Sequence, residues 1–111
     1  MNSGQSSGSM ATAEALELIT DIETPLDSGG WPDQEVLANI KQTLRRLRSA
    51  PGPPALISEK IVAIEIWTEI LFSTRRFERY GGADRVRLSI LHECHALRQI
   101  VSTGLPPDNS D

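Results

Sequence analysis

The sequence predicts an all-α fold, a small helical bundle of three strong helices plus one weaker N-terminal helix, expected to be dimeric. Three observations carry that reading. Apolar residues recur every three or four positions through Leu37–Leu47 and again through Val86–Val101, which places them on one face of a helix. Pro and Gly punctuate the chain between the periodic segments, at Gly29-Gly30, Pro51-Gly52-Pro53-Pro54, Gly81-Gly82 and Gly104. The most apolar stretch, Leu56–Phe72, is 17 residues long, too long for a typical strand.

Composition narrows the function. A chain of 111 residues is one domain, or a smaller one with loose ends. With 39% hydrophobic and 23% charged residues, it has the make-up of a soluble globular protein. No apolar run approaches the roughly 20 residues of a membrane helix, and no signal pattern opens the chain; no membrane partner and a cytoplasmic location are expected. One cysteine excludes an internal disulfide framework. A net charge of -4 argues against the broad basic footprint of a duplex-DNA binder.

Residues 1–11 are rich in Ser and Gly and have little to bury, so they read as a disordered leader; residues 104–111 read as a disordered tail. A single helical domain is expected over 12–103. Near 90 residues is a modest length for an independent core, which makes help from a second subunit reasonable.

The first helix is predicted over Thr12–Ile22 from Leu16, Ile19 and Ile22, with Pro25 ending it; alternation over Leu16–Ile22 keeps a strand in view. The second starts near Pro32, with Asp33 and Glu35 at its positive end and Trp31 packing back as a staple. Its stripe is Leu37, Ile40, Leu44 and Leu47, and Arg45, Arg46 and Arg48 lie near its negative end. The third is predicted from about Ala55 to Tyr80, with Glu59, Glu65, Glu69, Ser73 and Arg76 along its one narrow polar side. Such a helix must be covered on more than one flank. The fourth, Ala83–Thr103, carries Val86, Ile90, Cys94, Leu97 and Val101 as an uninterrupted core stripe, with Gly104 and Pro106 beyond its end.

Charge is unevenly divided. The seven acids before Lys41 give the first 40 residues a charge of -7, and the remainder carries +3. Arg75, Arg76, Arg79, Arg85 and Arg87 crowd the connection between the third and fourth helices. These charges are either solvated or paired with the acidic first segment, or that segment is an arm that docks on a basic surface of another protein.

Candidate chemistry is sparse. His92 and His95 are the only histidines and share a flank of the last helix with Leu88 and Gln99. A zinc-protease pair needs His-Glu-x-x-His, and here the second His comes one residue early with no third His in the chain. Cys94 falls in the apolar stripe and reads as a small buried hydrophobe. Gly81-Gly82 lacks the phosphate-loop spacing and reads as a left-handed helix stop. No catalytic residue, cofactor or metal site is expected, and the chain is read as no enzyme.

Three families share features with these residues. Arg87 and His92 have the Arg-x4-His spacing of HEPN ribonucleases, which implies a ribonuclease, or a toxin or antitoxin component, using that pair. The polar residue that usually follows the Arg is Leu88 here. His95-Ala96-Leu97-Arg98 resembles the start of a histidine phosphotransfer motif, but Gln99 stands where a small residue is expected. Gly81-Gly82, His95-Ala96, Gly104 and Pro106, within roughly the last 26 residues, resemble the final helix of small bacterial quorum-sensing antiactivators. That resemblance implies a protein that binds a LuxR-type transcription regulator and inhibits it.

The reading that combines these features is a protein–protein interaction module, with a protein partner such as a transcription regulator and with self-association as a homodimer. Its expected interface residues are Ile61, Ile64, Trp67, Ile70, Leu71, Phe72, Leu88, His92 and His95. A helical module that binds nucleic acid through the Arg75–Arg87 cluster is a further alternative, disfavoured by the acidic net charge.

Overall fold

The computed structural model describes residues 10–28, 33–73 and 75–105. Most of the expected leader, the tail beyond Leu105, and the expected roles of Trp31 and Pro32 lie outside the described residues. Four α-helices and one short 3-10 helix make up the fold: α1 (Thr12–Ser28), α2 (Gln34–Leu47), α3 (Pro54–Leu71), the 3-10 turn Phe77–Tyr80, and α4 (Ala83–Thr103). Among the described residues there is no strand. The all-α bundle is what the sequence predicted.

The helices run alternately up and down, and the cross-links between them show it. Glu14 pairs with Arg46, so the start of α1 meets the end of α2. Lys41 reaches Glu69 and Arg48 reaches Glu65, an antiparallel register between α2 and α3. Lys60 pairs with Glu93 across α3 and α4 at 3.0 Å. Glu23 and Leu26 of α1 are met by Arg98 and Arg87 of α4 in reverse order. The α3–α4 seam is the most extensive, and the α2–α3 seam the sparsest. Short connections between antiparallel neighbours make this arrangement the economical one for four helices.

α4 buries its whole expected stripe, Val86, Ile90, Cys94, Leu97 and Val101, whereas α2 encloses Ile40, Leu44 and Leu47 of its stripe and leaves Leu37 only half-buried. α2 opens with Asp33 as N-cap, its carboxylate accepting from the Glu35 N–H at 2.9 Å, which satisfies one orphan donor of the first turn.

Four expectations need correction. α1 does not stop before Pro25 but continues to Ser28. A proline inside a helix removes one backbone hydrogen bond and crowds the preceding turn; here Leu26 is fully buried and its carbonyl accepts from the Arg87 guanidinium, which hold the last turn in place. The α1 stripe is Ala15, Leu18, Ile19, Ile22 and Leu26, with Leu16 only half-buried. Met10, assigned to the leader, packs against the core, and its N–H donates to the Ser49 carbonyl. Finally, the third helix ends at Leu71, not Tyr80.

That last break has a physical reason. In one continuous helix, Tyr80 would lie about 20 Å beyond Trp67 at 1.5 Å per residue. With the break, the two rings meet edge to face at 5.4 Å, a favourable aromatic geometry, and Phe72 and Phe77 both turn towards the core. Gly81 closes the 3-10 turn in the left-handed conformation at φ 97°, its N–H donating to Glu78 and that of Gly82 to Phe77. The positive φ favours glycine there; a Cβ on Gly81 would stand 3.2 Å from the exposed Arg85 side chain, which would have to shift by a few tenths of an ångström. Gly104, φ 77°, ends α4 as expected.

Candidate protein-binding face

α3 supplies the decisive geometry. Its buried stripe is Ile57, Ile61, Ile64, Thr68 and Leu71, which points into the bundle. At 100° per residue, Glu65 and Glu69 fall on the flank facing α2, and Lys60 and Trp67 on the flank facing α4. The ion pairs to Lys41, Arg48 and Glu93 agree with this. The side left over carries Val62 and Ile66, and both are exposed. The helix is therefore more apolar than its bundle can cover.

This sorts the nine residues expected at an interface. Ile61, Ile64, Ile70 and Leu71 are buried by the chain's own helices, so they are core residues and cannot also meet a partner without unfolding. Ile70 is the least obvious of them, since it lies opposite Ile61 around the helix; Phe72 and Phe77, in the segment that follows α3, belong to the same apolar cluster. Trp67 and Phe72 are half-buried, whereas Leu88, His92 and His95 are exposed. Val62 and Ile66 were not anticipated. Their signal was present in the surplus apolar positions of α3, but sequence alone does not say which side the neighbouring helices take.

Between α3 and α4 a shallow groove of about 350 Å³ is lined by Trp67, Arg85, Leu88, Ser89, His92 and Glu93. Glu93 is tied to Lys60. On the far seam, a groove of about 440 Å³ between α2 and α3 is lined by Leu44 and Ile66 together with the paired Lys41, Glu69, Arg48 and Glu65.

No family model, curated protein or solved structure matches the chain.

The chemistry of the remaining candidates follows from where they point. Arg87 lies against the end of α1, donating to Leu26 and 3.5 Å from Asp84, while His92 is exposed in the α3–α4 groove. The two residues that would form a ribonuclease pair thus have different surroundings. His92 and His95 share an open flank, but among the described residues no three His, Cys, Asp or Glu side chains are grouped to hold a metal. Cys94 is buried, and that burial, reinforced by the nearby Glu23 charge, pushes its thiol up to about 12. It stays protonated at neutral pH and so lacks the thiolate a nucleophile needs. Arg98 holds both oxygens of Glu23, at 2.7 and 2.8 Å, and also donates to Thr20 at 2.9 Å. The Glu23 hydrogen bond raises the Arg98 pKa further. This fork fixes α1 on α4, so part of the acidic first segment docks on its own chain. Among the described residues no helix is long and apolar enough to cross a membrane.

Proposed function

We propose that this chain is a non-enzymatic helical module that binds protein through the outer surface of α3 and α4. One observation carries the reading. The exposed large hydrophobic residues are Ile66 at 54%, Leu88 at 55%, Val62 and Tyr80 at 42%, and Leu105 at 64%, and every one of them follows the α2–α3 turn. Single exposed apolar residues are ordinary; several presented by two neighbouring helices and their connection mark a contact surface. Covering a side chain such as Leu88 contributes roughly 1.5–3 kcal/mol when its burial becomes complete. The half-buried Trp67 beside Leu88 adds an aromatic anchor of the kind that dominates interfaces.

In its finer form, the partner is a transcription regulator and the module an antiactivator, in keeping with the resemblance carried by Gly81-Gly82, His95-Ala96 and Gly104. A homodimer through the same surface is the simplest use of it. Light scattering at tens of micromolar protein tests this: the wild type should run as a dimer, and Leu88→Arg or Ile66→Arg should shift it to monomer with unchanged helicity by circular dichroism. Ile64→Arg is unsuitable, because Ile64 is fully buried. If the wild type stays monomeric and the two variants bind the candidate regulator as well as it does, the reading fails.

A further inference from the structure

We infer that the α3–α4 connection is an arginine-lined corner that receives an acidic amphipathic segment of a different protein, its apolar side chains lying in the Trp67–Leu88 groove. The inference rests on the proposed protein-binding face and adds the chemistry of the partner.

It starts from a contrast among the cations. Of the 11 Lys and Arg residues, Lys41, Arg46, Arg48, Lys60, Arg87 and Arg98 each have an acidic partner. The other five form no ion pair among the described residues. Four of these, Arg75, Arg76, Arg79 and Arg85, fall within eleven consecutive positions, and all four are exposed. The acids in that span are Glu78 and Asp84, and Asp84 already faces Arg87. Four of the five cations without an ion pair among the described residues therefore lie at the α3–α4 connection of an acidic protein. Like charges held close repel one another, so an anionic partner is favoured there.

The identity of the side chains narrows the anion. All four are arginines, whose planar forks take carboxylates or phosphates side-on. The corner adjoins apolar surface: Arg85 lines the groove with Trp67 and Leu88, and Tyr80 packs against Trp67. A nucleic acid needs a basic track along its backbone, whereas here Glu17, Asp21 and Asp27 of α1 are exposed and add to the acidic surface. A short protein segment with carboxylates at one end and apolar residues on one face fits both halves of the site.

The chain's own acids do not meet these requirements. α1 offers exposed carboxylates, but its apolar stripe is already buried in its own core, so a second copy cannot fill the groove with it.

The test uses the full chain and a fluorescein-labelled helical peptide of about eighteen residues, five turns, with Leu along one face and Glu along its flanks. A matched peptide with each Glu replaced by Gln and a single-stranded DNA oligonucleotide of equal charge serve as competing probes. Fluorescence anisotropy should show the Glu peptide binding, with an affinity that falls at least about tenfold between roughly 50 and 300 mM salt. The Gln peptide should bind at least about tenfold more weakly, and the Arg76→Glu/Arg79→Glu double variant should lose a similar factor. Arg45→Glu, which reverses the remaining unpaired arginine on α2, should leave the affinity unchanged. Equal binding of the two peptides, an unaltered double variant, tighter binding of the DNA, or no binding of the Glu peptide at about 100 μM protein each overturns the inference. Leu88→Ser separates the two claims. If it leaves peptide affinity intact while the arginine variant abolishes it, the corner stands and the apolar face falls. If self-association depends on Leu88 but the arginine variant binds peptide normally, the face stands and the corner falls.

Discussion

Thr68 occupies a core position of α3 and is the one residue there whose polar atom has been left without a partner. Its hydroxyl is buried and has no hydrogen-bond partner among the described residues, while Thr20, Thr24 and Thr103 each donate to the carbonyl four residues back. A buried hydroxyl without a hydrogen bond costs about 1–3 kcal/mol. Thr68→Val, which keeps the shape and replaces the hydroxyl with a methyl group, should raise the urea midpoint with an unchanged slope, a gain of about 1 kcal/mol. Cys94 makes a second prediction at this scale. Its thiol titrates near 12 in the folded chain against an ordinary value of 9.0. The folded pKa is the higher one, so above the unfolded value the unfolded chain binds fewer protons, and stability falls as pH rises from about 9 towards 12. The loss approaches about 1.4 kcal/mol per pH unit. Chemical denaturation between those limits should show a steeper alkaline decline in the wild type than in Cys94→Ala, and a disulfide reagent should leave the native thiol unmodified at neutral pH.

Between elements, the α3–α4 connection is where local sequence and tertiary packing disagree most. Nothing in Phe72–Ser73 stops a helix outright, yet α3 ends there, and the 3-10 turn carries Tyr80 back onto Trp67. Gly81 makes the return possible. Gly81→Ala should cost at least about 1 kcal/mol through its positive φ. Because Tyr80 is next to it, the change should also alter the near-ultraviolet circular dichroism of the Trp67–Tyr80 pair before global unfolding begins. The middle of the same seam is braced by the partly buried Lys60–Glu93 pair, so the disturbance should stay local to the connection.

For the molecule as a whole, the exposed large hydrophobic residues Val62, Ile66, Tyr80, Leu88 and Leu105 come from α3, α4 and the segments beside them, while Glu14, Glu17, Asp21 and Asp27 are exposed on α1. That asymmetry leads to a prediction about mass action. If two copies share the α3–α4 surface, the thermal midpoint rises with protein concentration, because association stabilises only the folded state. Scanning calorimetry from about 5 to 200 μM should show a shift of several degrees in the wild type, given that about 1 kcal/mol moves the midpoint of a domain this size by roughly 4–8 °C. Leu88→Arg should abolish the concentration dependence and keep the dilute-limit midpoint, since Leu88 is exposed within the single chain.

What the sequence by itself determined was the helical class, the stripes of α2 and α4, and the surplus apolar surface of α3, because helical periodicity and glycine or proline stops are local properties written at fixed spacing. The strongest of these, Val86 through Val101, is buried residue for residue as its spacing demanded. Only the tertiary structure decided that α1 runs through Pro25, that α3 breaks before Tyr80, and that Ile61, Ile64, Ile70 and Leu71 belong to the core while Val62, Ile66 and Leu88 face outward. The reason is the same in each case. A helix apolar on most of its circumference offers several equivalent faces, and the choice among them is made by which neighbours arrive, where their ion pairs fasten, and how far the chain must turn back to bring distant rings into contact.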